Sequence, residues 1–159
     1  MSSIPRPSFD EVRCKIETAL QLLYKHDHFL ITNNTSERAI THKLAEYIQG
    51  LFPEWHVDCE YNRRGEDRPK DIQGKRTSYP DIIIHRRNKK DNLLIIEAKS
   101  VHSRNRSDIV DKGKIAAYIS DTRYEYSFGL WIYFHDDLAE TQLDWFENQA
   151  GVCRGVSSS

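Results

Sequence analysis

The chain has 159 residues, of which 38% are hydrophobic and 30% are charged, and its formal net charge is −1. This length suffices for one domain with a real core, which we expect to span residues 1–150. The balanced charge excludes the strongly basic class of nucleic-acid-binding proteins, so any contact with nucleic acid must come from local patches or from metal ions.

The cysteines and the N-terminus indicate in which cellular compartment the protein is expected. The three cysteines are an odd number and form no CxxC pair, which fits a reducing compartment and gives no zinc signature. The first residues lack the apolar stretch of a secretory leader, and no segment approaches the length of a membrane-spanning helix. The sequence therefore predicts a cytoplasmic protein with no membrane partner.

Two amphipathic helices are expected before the first strand. Ser8 and Glu11 form a capping-box pair ahead of apolar residues at helical spacing, which predicts an N-terminal helix packed on the domain. Residues 26–33 are expected to connect it to a second helix, which Asn34 with Glu37, or Thr35 alone, can cap.

Glu37 lies on the apolar side of this second helix. The apolar stripe extends backward by one turn onto Glu37, because residues 37, 40, 44 and 48 share a face. Two interpretations remain open. Glu37 is either the capping-box acid that complements the helix dipole, or an acid with a role on the buried side.

A strand and a polar loop follow. Apolar and polar residues alternate over residues 55–61, which predicts a half-buried strand. Residues 63–79 then form a loop with six basic and three acidic residues. Such a loop is either a solvated surface or a functional segment. In the second case, basic residues such as Arg63, Arg64 and Lys70 would grip a nucleic-acid backbone.

A β-hairpin is predicted over residues 79–100. Two short apolar runs, residues 82–84 and 93–96, flank a polar turn. A hairpin centred on Lys89 pairs Ile83 with Ile95.

The same register places Asp81 opposite Glu97, and Lys99 shares the face of Glu97. Like charges that oppose each other destabilise a strand pair, so a compensating group is expected. A hard divalent cation, which takes oxygen ligands, is the natural candidate.

The rest of the chain predicts a helix, a strand and a helix. Ser107 or Asp108 can cap the third helix, where Ile109 and Val110 belong to the apolar side and Gly113 permits close approach to a sheet. Residues 128–134 are a continuous apolar run, typical of a strand buried on both faces. A final helix is expected from Asp136 or Asp137 to about Gln149, before a flexible tail over residues 151–159.

These residues resemble a known family. Pro80-Asp81, fifteen intervening residues and Glu97-Ala98-Lys99 match the PD-(D/E)xK motif. The element order αβββαβ, with an acid on the preceding helix, is also the pattern of that nuclease superfamily. The resemblance covers about residues 34–134, and residues 59–63, 80–87 and 92–94 look like a bacterial branch of it. It implies an α/β restriction-endonuclease-like fold, a mixed central sheet flanked by helices, with an extra helix at each terminus.

The resemblance also implies roles for individual residues. Asp81 and Glu97 would bind Mg²⁺ directly with the backbone carbonyl of Ala98, and Glu37 would bind it directly or through water. Lys99 would orient and activate the attacking water. Mn²⁺ would be able to substitute for Mg²⁺. The expected reaction is hydrolysis of a phosphodiester bond. DNA is favoured over RNA as the substrate, and an endonuclease is favoured over an exonuclease.

Partners and alternatives remain open. The superfamily includes restriction enzymes, junction resolvases, repair nucleases and phage-defence effectors. Specificity here would come from DNA structure, from a homodimer or from a partner protein. Lys112 and Lys114 on the third helix are either contacts to the phosphate backbone or ordinary solvated lysines. The alternative functions are a non-catalytic nucleic-acid-binding or assembly subunit on the same fold, and a purely structural interaction domain.

Overall fold

A mixed sheet with helices on both faces forms the centre of the protein. The computed structural model describes residues 4–33, 35–60, 71–72, 75–76, 79–104 and 108–157. Its helices are α1 (Phe9–His26), α2 (His28–Thr32), α3 (Glu37–Leu51) and α4 (Asp108–Ser120). The predicted α/β class, with a mixed central sheet flanked by helices, is confirmed.

Six strands build the main sheet. The strands within the described ranges are β1 (His56–Cys59), β2 (Asp71–Ile72), β3 (Lys75–Arg76), β4 (Ile82–Arg86), β5 (Asp91–Ser100), β6 (Phe128–Phe134), β7 (Gln142–Gln149) and β8 (Val152–Val156). The main sheet has the order β1-β4-β5-β6-β7-β8, and β2 pairs with β3 alone. Among the strand pairs of the described residues, β5 and β6 run parallel, with α4 between them in the chain, and the other pairs run antiparallel.

The hairpin of β4 and β5 has the predicted register. Ile83 pairs with Ile95 and Ile82 pairs with Ile96, while a register shift follows Ile84. Alternate side chains of these strands enter two separate cores. Ile82 and Ile96 pack on the side of α1 and α3, whereas Ile83 and Ile95 pack on the side of α4. This alternation decides which residues can meet at the end of the hairpin.

The predicted N-terminal helix is confirmed, and the cap of the next long helix is corrected. Ser8 and Glu11 form the expected capping box. The cap of α3 is Ser36, whose side chain accepts a hydrogen bond from the N–H of Ala39, so the expectation of Thr35 was wrong. Asn34 lies outside the described residues. Residues 26–33 also contain the short helix α2, where only a connection was expected.

The predicted C-terminal helix was wrong, and residues 152–156 of the predicted tail form strand β8. Asp137 caps only a short 3₁₀ helix, Leu138–Glu140, and the chain then forms the β7–β8 hairpin. Ala150 and Gly151 connect the two strands with φ angles of 52° and 83°, the double positive φ of a tight hairpin turn. Trp145 is buried against Phe9 of α1, with ring centroids 5.4 Å apart, and this contact favours the strand.

The N-terminal turns of α4 also differ from expectation. Ile109 and Val110 are 79% and 71% exposed, so they do not belong to the buried side. A Cβ atom on Gly113 would have no neighbour within 4 Å, whereas one on Gly129 of β6 would lie 2.3 Å from Cγ2 of Ile115. Gly129 is therefore the glycine that lets α4 approach the sheet.

None of the helices in the described part of the chain combines the length and the apolar character that a membrane span requires.

Candidate active site

The start of β4 and the end of β5 bring Asp81 and Glu97 together. Asp81 immediately precedes the pair of Ile82 and Ile96, so it lies beside Glu97 on the α4 side of the sheet. Its Oδ2 atom accepts a hydrogen bond of 2.8 Å from the N–H of Ala98. Its backbone carbonyl accepts another, of 3.1 Å, from the N–H of Glu60 after β1. Asp81 is therefore fixed between both neighbouring strands.

Burial makes this carboxylate pair costly to ionise. Glu97 is 3% exposed, and burial, together with the negative charge of Asp81, raises the pKa of Glu97 well above its usual value. Burial also raises the pKa of Asp81, against the opposing effects of the Ala98 N–H and of Lys114. Such a pair needs a proton or a cation to compensate its charge.

Lys114 supplies a positive charge from α4. Its Nζ atom lies 2.7 Å from Oε1 of Glu97, and the two side chains are only 9% and 4% exposed. The same ammonium donates a hydrogen bond of 2.9 Å to the carbonyl of Tyr79. This is not the environment of an ordinary solvated lysine, and the predicted contact of Lys114 with a phosphate backbone stays a prediction.

Asp111 is an acid of the site that the sequence analysis missed. Its Oδ2 atom is buried, accepts no hydrogen bond from the described residues and lies 3.7 Å from Nζ of Lys99. A signal was present, because Asp111 precedes the buried Ile115 by one helical turn. The backward extension that found Glu37 on α3 would have found Asp111 on α4.

Lys112 has other partners. Its ammonium lies 2.9 Å from Asp108 and 2.7 Å from Asp144, and it lies over the ring of Trp131. The ion pair with Asp144 ties α4 to β7, whereas the pair with Asp108 lies within α4. Its proposed contact with nucleic acid stays a prediction.

Glu37 reaches β5 from the opposite face of the sheet. It lies in the first turn of α3, and its Oε1 atom accepts a hydrogen bond of 3.4 Å from the N–H of Ser100. Because Ser36 is the cap, the capping-box position belongs to Ala39, and the interpretation of Glu37 as the capping-box acid was wrong. Glu37 contacts the end of β5 through Ser100.

The predicted basic contacts of the loop, Arg63, Arg64 and Lys70, lie outside the described residues.

The oxygen atoms at the hairpin end suit a small hard cation better than a softer metal. No group of three His, Cys, Asp or Glu side chains that could hold a metal ion occurs in the described ranges. Mg²⁺ is usually held by only one or two carboxylates and keeps several waters. The carbonyl of Ala98 points to the same side of β5 as its N–H, which faces Asp81. Two carboxylates and this carbonyl therefore fit Mg²⁺.

Comparisons of the chain with protein-family models, with curated proteins and with solved structures found no match.

Proposed function

We propose that the chain is a metal-dependent nuclease of the PD-(D/E)xK superfamily, which hydrolyses phosphodiester bonds of nucleic acid, with DNA as the favoured substrate. One observation carries the proposal: the half-buried Asp81 and the buried Glu97 meet on the α4 side of the hairpin, burial raises the pKa of both carboxyl groups, and strand alternation puts Lys99 on the same face. The order α3, β1, β4, β5, α4 and β6 supports a restriction-endonuclease-like core.

Asp81, Glu97 and the carbonyl of Ala98 would hold Mg²⁺, or Mn²⁺ in its place. The bound cation would supply the positive charge that polarises the phosphoryl group and acidifies the attacking water. Glu37, tied to Ser100 on the other face, would act on the cation through water.

The net charge of the site explains why a cation is required. On the α4 side of the sheet, opposite the face of Glu37, Asp81, Glu97 and Asp111 contribute three carboxylates and Lys99 and Lys114 contribute two ammonium groups, which leaves a formal charge of −1 on that side. This charge repels a phosphodiester. A divalent cation changes its sign, so that the anionic substrate is attracted instead.

The protein side chains would divide the remaining work. Lys99 orients the attacking water and stabilises the charge that develops on the phosphate, and Asp111 holds the Lys99 ammonium from α4. The hydrogen bond from Ala98 keeps Asp81 beside Glu97. Arg63, Arg64 and Lys70 would bind phosphates of the nucleic-acid backbone. Such contacts position a nucleic acid without reading its sequence. A second copy of the chain or a partner protein would supply specificity.

A second candidate is a non-catalytic nucleic-acid-binding or assembly subunit. The contact between Lys114 and Glu97 favours it, because this ion pair partly compensates the carboxylates without a metal.

A panel of cleavage assays distinguishes the nuclease from the non-catalytic subunit. The wild-type protein and Asp81→Asn are incubated with duplex, single-stranded and branched DNA and with RNA, in Mg²⁺, Mn²⁺ or a chelator. The proposal predicts cleavage that requires both the metal and Asp81. Binding that a chelator does not weaken, without cleavage in either metal, would instead support the non-catalytic subunit.

A further inference from the structure

We propose that Lys114 is an internal counter-cation that occupies the place of the metal in the metal-free protein, and that the divalent cation displaces it on binding. This inference rests on the proposed function, since it concerns the same carboxylates. It assigns to α4 a direct part in metal binding.

The contacts of Lys114 show how it competes. Its ammonium lies 2.7 Å from Oε1 of Glu97, and it lowers the pKa of both Glu97 and Asp81 against the effect of burial. Lys114 therefore acts electrostatically on both carboxylates that are proposed to hold the cation. The contact with Glu97 is a short ion pair between two nearly buried side chains, so a cation that arrives at Oε1 of Glu97 meets the Lys114 ammonium there.

The two cations exclude each other. Mg²⁺ binds carboxylate oxygens at about 2.0–2.1 Å in a near-octahedral shell. An ammonium that already touches Oε1 of Glu97 blocks part of that shell, and two positive charges at one carboxylate repel. Binding of the divalent cation to Oε1 of Glu97 therefore requires Lys114 to move.

Asp111 provides the place to which Lys114 can move. It lies three residues earlier on α4, the spacing at which helical side chains meet. Its Oδ2 atom is buried and accepts no hydrogen bond from the described residues, and Lys99 contacts it only at 3.7 Å. Displacement would thus transfer the Lys114 ammonium from Glu97 to Asp111 without exposing it to solvent.

The test is the affinity for Mn²⁺, measured by titration calorimetry on the full chain. Lys114→Met removes the competing charge, and we expect it to bind Mn²⁺ about tenfold more tightly than the wild type or better. Lys112→Met is the matched control. It removes a lysine of the same helix that pairs with Asp108 and Asp144 instead, so its Mn²⁺ affinity should equal that of the wild type.

Stability gives a second readout that does not depend on cleavage. In chelator, Lys114→Met should melt at a lower temperature than the wild type, because Glu97 loses its counter-charge, and saturating Mn²⁺ should close the gap. If this variant does not fold in chelator, Lys114→Gln keeps a donor for the Tyr79 carbonyl without the charge. If neither folds, refolding by Mn²⁺ supports the inference, and failure to refold in saturating Mn²⁺ overturns it.

The outcomes distinguish the two proposals. Folded Lys114 variants that bind Mn²⁺ no more tightly than the wild type overturn the role of Lys114, even if the wild type cleaves nucleic acid with Mg²⁺. Absence of Mn²⁺ binding in the wild type and in all variants overturns the proposed function as well.

Discussion

The carboxylate of Asp81 accepts a hydrogen bond of 2.8 Å from the backbone N–H of Ala98, the residue that follows Glu97. This bond joins the two halves of the motif and holds two acids side by side on a buried face. An asparagine at position 81 can accept the same bond through its amide oxygen, which makes a variant that tests the charge alone.

Asp81→Asn should lose activity without losing stability. Removal of the carboxylate should lower the rate of Mg²⁺-dependent cleavage by at least about 100-fold, because a metal ligand is lost. The metal-free variant should be as stable as the wild type, or more stable by up to about 1 kcal/mol, since a repulsion between opposed like charges is relieved. Denaturant unfolding in chelator, beside a cleavage assay, measures both.

Asp58→Asn is the matched control, because it should lower stability without lowering the cleavage rate. Burial alone would raise the pKa of Asp58, but hydrogen bonds from His85 and Arg87 outweigh it and hold this pKa well below its usual range. The substitution should cost about 2 kcal/mol of stability and leave the cleavage rate of the folded protein unchanged. If Asp81→Asn lost as much stability as Asp58→Asn, its loss of activity would be structural.

Glu97 should make the metal-free protein less stable as the pH rises. The pKa of Glu97 is raised well above the usual value of 4.5, mainly by burial. A carboxyl group whose pKa is raised by folding stabilises the fold while it is protonated. That stability is complete below the unfolded-state pKa and is lost as the pH rises through the folded-state pKa. The free energy of unfolding, compared between the wild type and Glu97→Gln in chelator from about pH 5 to about pH 8, checks this.

The free energy of unfolding of the wild type minus that of Glu97→Gln should fall as the pH rises. Mg²⁺ should restore part of the stability that the wild type loses at high pH, because the metal binds the deprotonated carboxylate. A difference that stays constant or grows with pH would show that burial does not raise the pKa of Glu97 in the folded protein.

Gly129→Ala should displace α4 from the sheet. The added Cβ would lie 2.3 Å from Cγ2 of Ile115 and 2.9 Å from Cδ1 of Ile119. Both isoleucine side chains are fully buried, so they have little room to move away. We expect a loss of about 1–3 kcal/mol of stability, measured by denaturant unfolding. Cleavage should fall too, because α4 carries Asp111 and Lys114. Gly113→Ala, at a position with open space, is the control and should be at least as stable as the wild type.

The centre of the fold was predictable from local pattern, and the C-terminal part was not. The apolar runs on either side of Lys89 fixed the pairing of Ile83 with Ile95, because a strand with both faces buried allows little slippage. After Asp137, the apolar residues fit a helix as well as a strand. The contact of Trp145 with Phe9, far away in the sequence, decides for the strand.

The candidate site was also only partly predictable. Asp81, Glu97 and Lys99 follow from the register of one hairpin, which is local information. Lys114 and Asp111 enter through the packing of α4 on the sheet, which depends on Gly129 in a later strand. The sequence therefore predicted Asp81 and Glu97 as the acids that would attract a cation. It named Lys114 only as a contact to the phosphate backbone or a solvated lysine, and not as the ion-pair partner of Glu97.

The most direct test of the central claim is anomalous diffraction from a crystal of the chain soaked in Mn²⁺, recorded near the manganese absorption edge. Our account predicts one strong peak within bonding distance of the carboxylates of Asp81 and Glu97 and of the carbonyl of Ala98, with the Lys114 ammonium moved away from Glu97. A peak elsewhere, or none beside these carboxylates at a Mn²⁺ concentration that supports cleavage, would contradict it.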